Sequence, residues 1–567
     1  MRPKLRAGLL VLLAAVALAS GAPAEDDPAA EPLTDKRRTL VLLLDGFRWD
    51  YIKHLAGDTS GFKEFLKNGV SAEYVNTIFP SLSFPAWTTI STGVYPETHG
   101  ILANFFYNRQ RQQAFMLNDT ATTRKAFWWQ SPEPVWTTAA KQGLRVATVL
   151  WSRSDVPVHG LRPEQAEGYA YNKDALGVLR DSIERSLEYL QRGFDLVMTY
   201  SELVDDVGHS YGPDSLEMKY TIGDVGKLLT GMFRSLETRN LKDKQDLNPG
   251  SVAPGSSLCR HGYDAMVQVG FPLGFTLRRA RDRAIPDPSC CIADIAHLSQ
   301  TNVILIGDHG MVTVDPGEPI RLREHLSPDD DVEQALGQGA FVSIYAKPGR
   351  VEYIHNKLAS VRGLTVWRRG EVPRELHYNR NPALPDLIVS ASKGYLIHGL
   401  HVKEETAPRP HGIHGYQPDI EEMRTIFYAV GPDFKRGVTV DPIDLVDEYQ
   451  VLCHLLRIPA HPHNGTWSRV RGLLAGDPAR PYGEGDEDDD DIPDLEPTPI
   501  RSTAGTLAAA PPPAEQQPPP AAPQGPAAAP APPPATGLAS GPVRIALSVI
   551  VGLVGWYVFL CVITNSH

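Results

Sequence analysis

The sequence predicts an α/β protein built on a doubly wound, mostly parallel sheet with helices on both faces. Short runs rich in leucine and β-branched residues recur along the chain: TLVLLL before Asp45, RVATVL before Trp151, FDLVMTY before Ser201, NVILI before Gly307 and TIFYAV before Gly431. Continuous apolar runs of this length suit strands that are buried on both faces. Helix-like segments separate them, and that alternation is the pattern of a parallel sheet flanked by helices. In such sheets ligands collect outside the carboxyl ends of the strands, so the residues that follow each run carry the functional question.

The ends of the chain bound where this body works. MRPKLRAGLLVLLAAVALASGAPA sets Arg2, Lys4 and Arg6 ahead of an apolar run from Ala7 to Ala19, the pattern of a secretory signal peptide over residues 1–24. The run is shorter than the roughly 20 residues that span a bilayer. Residues 35–481 form the body, long enough for one large α/β domain or two smaller ones. Residues 482–542 turn acidic (GEGDEDDDDIPDLEP) and then rich in proline and alanine, which reads as a solvated, semi-extended stalk. Residues 543–563 contain the apolar run IALSVIVGLVGWYVFLCVI, a transmembrane helix or the removable tail of a GPI signal. No Lys or Arg follows it, and the small residues Ala535, Thr536 and Gly537 lie a short spacer upstream, which favours GPI. Either anchor places the body on the extracellular face of the plasma membrane.

A formal net charge of −12 says little about the body, because much of it sits in the stalk. No basic patch suggests nucleic acid as a partner. Cys259, Cys290, Cys291, Cys453 and Cys561 are too few for a disulfide scaffold. Asn118 (NDT) and Asn464 (NGT) are glycosylation acceptors that an exported chain can use.

Metal-binding side chains load the strand ends. Asp45 follows the first strand; Glu202, Asp205, Asp206 and His209 follow the third; Asp308 and His309 follow NVILI; PRPHGIHGYQP adds His411 and His414. Each alone is common, since a strand-terminal Asp is often a helix cap. Together they suit zinc through carboxylate oxygen and imidazole nitrogen, and two zinc ions about 3.5 to 4 Å apart clamp a phosphoryl group. The stretch IFPSLSFPAWTT (residues 78–89) supplies four hydroxyls, Ser81, Ser83, Thr88 and Thr89, with no G-x-S-x-G elbow and no S-x-x-K pair to activate any of them. Zinc answers that need, because coordination lowers a hydroxyl's pKa without a histidine base.

LLDGFRWDY, FPSLSFP, TGVYPETHGILANFFYN, DDVGHSYGP, GDHGM and GIHGY, in this order, resemble the nucleotide pyrophosphatase/phosphodiesterase family of the alkaline phosphatase superfamily, from Thr39 to about Leu474. The resemblance implies an alkaline-phosphatase-like core with two zinc ions, one held by Asp45, Ser83, Asp308 and His309 and the other by Asp205, His209 and His414. It selects Ser83, which stands directly before Phe-Pro, as the nucleophile of a phosphoserine mechanism, and it makes Asn104 a donor to a phosphoryl oxygen. FPSLSFP, GFKEFLKNGV, PVHGLRP and NGTWSRV look most like the choline-specific glycerophosphodiester phosphodiesterase branch. That implies substrates of the glycerophosphocholine or lysophosphatidylcholine type and release of phosphocholine. Phe84, Trp151 and Tyr200 are the substrate-binding candidates, since aromatic rings either stack a nucleobase or surround a quaternary ammonium. The alternatives are a nucleotide pyrophosphatase/phosphodiesterase on the same zinc site and a catalytically silent surface protein on the same fold.

Two features depart from the family. WSRSDV stands where Pro-Gly is common after the tryptophan, which brings a charged Arg153 toward the pocket. About 55 residues, near 244–300, separate the helix-like segment Tyr220 to Lys242 from NVILIGDHGM and hold three of the five cysteines. They read as a surface excursion or as translated intron, because LSQ directly before TNVILI suits a splice acceptor. An uninterrupted spliced message containing the segment refutes the intron.

Overall fold

The computed structural model describes residues 37–54, 60–169, 174–245, 300–400 and 409–476. The signal peptide, the stalk, the C-terminal apolar run and residues 246–299 lie outside the described residues, as do Cys259, Cys290, Cys291 and Cys561. The chain divides between Arg37 and Arg38, and every element discussed belongs to the unit that begins at Arg38. Among the described residues no helix is long and apolar enough to cross a membrane.

An eight-stranded sheet forms the centre. Its strands are β1 (Arg38–Leu44), β2 (Val70–Ala72), β3 (Val146–Val149), β4 (Gln165–Glu167), β5 (Leu196–Ser201), β6 (Thr301–Ile306), β7 (Phe427–Val430) and β8 (Val438–Val440). They lie in the order β8-β2-β7-β6-β1-β5-β3-β4. All five apolar runs of the sequence are strands of this sheet. Along β1 the side chains alternate between two cores: Val41 and Leu43 pack on one face, Leu40, Leu42 and Leu44 on the other. Burial on both faces is why these strands read as unbroken apolar runs.

The sheet is parallel except at β7, which runs antiparallel to both β6 and β2. TIFYAV therefore departs from the parallel pattern of the other runs. The chain pairs Phe427 with Ile306 at the carboxyl end of β6, so β7 starts at that end and can only run back. The sequence reading did not foresee a second sheet, in which Val332–Gln338, Phe341–Ala346, Leu387–Ala391 and Leu364–Arg368 pair antiparallel in that order over a core of their own.

Four helices matter for the site: α1 (Ser83–Thr92), α2 (Ala175–Gln191), α3 (Leu203–Tyr211) and α4 (Leu216–Gln245). Beyond α4 the chain re-enters at β6 in full register with β1, Thr39 opposite Asn302 and Leu43 opposite Ile306. Asp308 therefore keeps its place two residues beyond a well-paired strand. Cys453 is a buried thiol whose pKa burial pushes up to about 12, and it is not in a disulfide.

Candidate metal and nucleophile site

β6, β1 and β5 are neighbours, with Leu44 opposite Ser201 and Leu43 opposite Ile306, so their carboxyl ends open at one point. Asp45 leaves β1 there, Asp308 and His309 leave β6, and β5 leads into α3, which carries Asp205 and His209 one turn apart. The turn after Asp45 is glycine for two reasons. Gly46 has φ +69°, and a Cβ on it would lie 2.9 Å from Asp205 Cα. Its N–H donates to Asp308 Oδ1 at 3.0 Å, tying two of the strand ends together. Gly46→Ala is expected to push Asp205 away from Asp45 and lower bound metal per chain, measured by elemental analysis; unchanged metal content would refute this.

The three inward imidazoles share one arrangement. His414 Nδ1 lies 2.9 Å from Ser81 O, His209 Nδ1 2.8 Å from Gly412 O and His309 Nδ1 3.0 Å from Gly310 O. A carbonyl only accepts, so each Nδ1 donates and each Nε2 faces inward, the nitrogen that imidazoles offer to a metal once it is deprotonated. There His209 Nε2 is 3.4 Å from Asp205 Oδ2, and His414 Nε2 is 3.6 Å from Asp205 Oδ1. His309 Nε2 is 3.4 Å from both Asp45 Oδ1 and Asp308 Oδ2.

Two clusters result, Asp205/His209/His414 and Asp45/Asp205/His309, with Asp205 common to both. Asp45 Oδ1 and Asp205 Oδ1 are buried and accept no hydrogen bond from the protein. Buried anionic oxygens of this kind demand a cationic partner. The donor set of carboxylates and imidazole nitrogens fits a divalent metal such as zinc.

The electrostatics agree. Burial, reinforced by the Asp308 and Asp205 carboxylates, pushes Asp45 well above the usual carboxylate range, and burial raises Asp308 too. Burial raises Asp205, but His209 beside it outweighs this and holds it well below its ordinary value. Burial lowers His209, yet Asp205 wins and holds that imidazole up at about 9. Burial, then the charge of His309, pushes His414 far down. A bound cation is the neighbour that lets all the carboxylates ionise together.

Only one of the four hydroxyls faces this cluster. Ser81 donates to Ile78 O (3.1 Å) and Tyr416 O (2.9 Å), Thr88 donates to Phe84 O (2.8 Å), and Thr89 Oγ1 lies 3.2 Å from His99 Nε2. Ser83 opens α1 and points its Oγ to 3.2 Å from His309 Nε2. The positive end of the α1 dipole faces an anion held beside Ser83, although Pro85 has no N–H and Ala86 N–H donates to Leu82 O. Asn104 Oδ1 accepts from Phe84 N at 3.0 Å, which fixes its carboxamide next to the helix start.

Phe84, Trp151 and Tyr200 are core residues, 2, 1 and 5% exposed. Tyr200 donates its hydroxyl to Asp45 Oδ2 at 2.6 Å, so its visible work is on a candidate ligand. Trp87, which the sequence reading did not single out, does the same for Asp308: its Nε1 donates to Oδ2 at 2.8 Å. Helical spacing could have found it, since Trp87 stands one turn beyond Ser83 on α1. Tyr200→Phe is expected to weaken metal binding and turnover roughly 10- to 100-fold, read by zinc titration and kcat. Wild-type affinity in that variant would mean that the hydroxyl is ornamental.

The remaining acidic and histidine candidates sit around the rim. Glu202 accepts from the Tyr169 hydroxyl, and burial, then Asp205, raises Asp206 to about 7. His411 is exposed and pairs its main chain with His209 O at 2.8 Å. Asn118 and Asn464 are half-buried.

A family model described as type I phosphodiesterase / nucleotide pyrophosphatase matches residues 39–247 and 292–417. The chain belongs to this family. It is a phosphoric diester hydrolase with the fold expected from the sequence. The match passes over residues 248–291, within the segment that separates α4 from β6. The chain is 27% identical to human ectonucleotide pyrophosphatase/phosphodiesterase family member 5 over 443 residues, covering 78% of each chain. It is 26% identical to mouse family member 7, covering 78% of this chain and 88% of that one. It is also 26% identical to the bis(5'-adenosyl)-triphosphatase of Xenopus laevis, covering 78% and 83%. Among solved structures, an inactive variant of the murine member 5 enzyme in complex with AMP superposes with a TM-score of 0.63 at 26% identity, over 77% of this chain and 100% of that one. None of these names singles out choline.

Proposed function

We propose that the protein is a two-zinc nucleotide pyrophosphatase/phosphodiesterase that acts outside the cell and releases nucleoside monophosphates. The observation that carries the choice of substrate is Arg153. Its buried guanidinium carbon lies 5.9 Å from the centre of the Phe84 ring, directly after the candidate nucleophile. A fixed cation packed behind the residue that follows the nucleophile disfavours a quaternary ammonium, whereas a nucleotide brings negative charge. The names of the relatives, one of them solved with AMP, support the same reading.

One zinc would be held by Asp45, Ser83, Asp308 and His309, the other by Asp205, His209 and His414. Bound there, zinc would acidify the attacking hydroxyl and offset charge on the phosphoryl and leaving oxygens. Ser83 Oγ gives up its proton and forms the new bond to the phosphorus next to the nucleoside, the bond to the leaving group breaks in line, and water then hydrolyses the nucleotidyl-serine to release the nucleoside monophosphate and restore the hydroxyl. The Asn104 side-chain amide and the Ser83 N–H donate to the phosphoryl oxygens as charge builds on them, at the positive end of the α1 dipole. Tyr200 and Trp87 keep Asp45 and Asp308 in their orientations, and three main-chain carbonyls do so for the imidazoles.

Hydrolysis of ATP and of glycerophosphocholine by the purified protein, with zinc and after chelation, tests the reading. Chelator-sensitive release of AMP with glycerophosphocholine untouched is expected. Release of phosphocholine alone would restore the choline branch, and a zinc-free, inactive protein would favour the silent surface protein. The signal peptide, the anchor at residues 543–563 and sugars at Asn118 and Asn464 belong to the same proposal. A mass shift on removal of N-linked glycans checks the last of these.

A further inference from the structure

Asp214 stands in the short connection between α3 and α4, five residues past His209, and its carboxylate makes two bonds that lead to other parts of the site. Arg48 Nη2 donates to Oδ1 at 2.7 Å, and Thr313 Oγ1 donates to Oδ2 at 3.1 Å. Each partner belongs to a different ligand-bearing segment: Arg48 lies three residues beyond Asp45, and Thr313 four beyond His309.

The links continue on both sides. Arg48 Nη1 donates to Met311 O at 3.4 Å, two residues beyond His309, and Nε donates to Asp50 Oδ1 at 2.6 Å. The short strands Val312–Thr313 and Gly412–Ile413 pair antiparallel, with Thr313 opposite Gly412. Gly412 O accepts from His209 Nδ1, and His414 follows Ile413. His411 N–H donates to His209 O and closes the circuit. Asp214 is thus the point at which the segments carrying Asp45, His209, His309 and His414 meet.

The two ends of this junction differ in burial. The Arg48 side chain is 6% exposed and keeps Asp50 and Met311 O when Asp214 is removed, whereas the Asp214 side chain is 67% exposed. A solvent-facing carboxylate contributes little to global stability. What its two bonds fix is local: the connection that follows His209, held against the strand pair that carries Gly412. On the other side, the Gly46 N–H to Asp308 Oδ1 bond and the β1–β6 register place Asp45, Asp308 and His309 without it.

We propose that Asp214 is a positioning residue for one metal ion, the ion held by Asp205, His209 and His414. The inference rests on the two-zinc reading and adds to it that a carboxylate outside the ligand set holds the His209 imidazole in place and so sets the affinity of that ion. Hydrogen bonds around a ligand act in this way by fixing its orientation.

The test is a zinc titration of the zinc-free, full-length protein against a chromophoric chelator, for the wild type, Asp214→Ala, Asp214→Asn and Thr313→Val. In Asp214→Ala one ion is expected to bind roughly tenfold more weakly and the other with wild-type affinity. Asp214→Asn, whose side-chain oxygen still accepts from Arg48, is expected to recover part of the loss, and Thr313→Val, which removes a single donor, to show part of it. The thermal midpoint of the zinc-free protein is expected to stay at the wild-type value in all three variants. Equal weakening of both ions with a lowered midpoint is the mark of a merely structural residue and overturns the proposal, as do two wild-type affinities in Asp214→Ala. A wild type that binds fewer than two zinc ions overturns the two-zinc reading and the role of Asp214 with it.

Discussion

Ser83→Ala is expected to lower turnover by roughly 10⁴-fold or more while leaving bound metal in place, because the nucleophile of a covalent mechanism has no partial substitute. The structure supplies the reason. Ser81, Thr88 and Thr89 spend their hydroxyls on Ile78 O and Tyr416 O, on Phe84 O and on His99, and only Ser83 Oγ looks at His309 Nε2. Asp45, Asp308 and His309 remain in the variant, so metal is retained. Ser83→Thr keeps a hydroxyl at the same helix position and is expected to retain turnover. Rapid-quench trapping of a nucleotidyl-enzyme in the wild type and its absence in Ser83→Ala would complete the case. Turnover of Ser83→Ala within about tenfold of the wild type would assign the attack to another group.

Asp205→Ala is expected to be as damaging by a different route. Asp205 is the one residue common to both clusters, within 3.4 Å of His209 Nε2 and 3.6 Å of His414 Nε2. Its loss leaves two imidazoles without a carboxylate on one side and weakens the Asp45/His309 group on the other. Metal content should fall by more than in Asp45→Ala, and turnover by more than the roughly 10- to 100-fold that an outer hydrogen bond costs. Asp205 would ligate the ion shared with His209 and His414 and also stands within the Asp45/His309 group, so equal metal loss in the two variants would show that it does nothing for the other ion. Excess zinc is expected to restore part of the activity of Asp45→Ala and none of that of Asp205→Ala.

Much of this could be read from residues alone, and the limits are instructive. The five apolar runs announced the central strands because β1, β5 and β6 are covered on both faces, and such strands need no polar alternation. The second sheet was missed although FVSIYA and LIVSA are fully buried runs of the same kind; VEQALGQ, largely polar, and LTVWR, half-buried throughout, lack the continuous apolar pattern. The direction of β7 escaped because an isolated run looks the same in either sense; its sense is decided by the pairing of Phe427 with Ile306. Asp45, Asp205, His209, Asp308, His309 and His414 could be named because strand ends and residue chemistry are both local properties. The hydrogen bonds of Trp87 to Asp308 and of Tyr200 to Asp45 could not, since each joins residues far apart along the chain.

By itself, then, the order of amino acids determined the alternating architecture, the family motifs and the residue types gathered at the strand ends, all of which follow from neighbours along the chain. The tertiary structure alone decided which lone pairs face inward, because the carbonyls of Ser81, Gly310 and Gly412 set the three imidazoles. It also decided which hydroxyl meets them. Hydrogen bonds and charges act through space over a few ångströms, and only the fold brings Ser81 to His414, Tyr200 to Asp45 and Arg153 to Phe84.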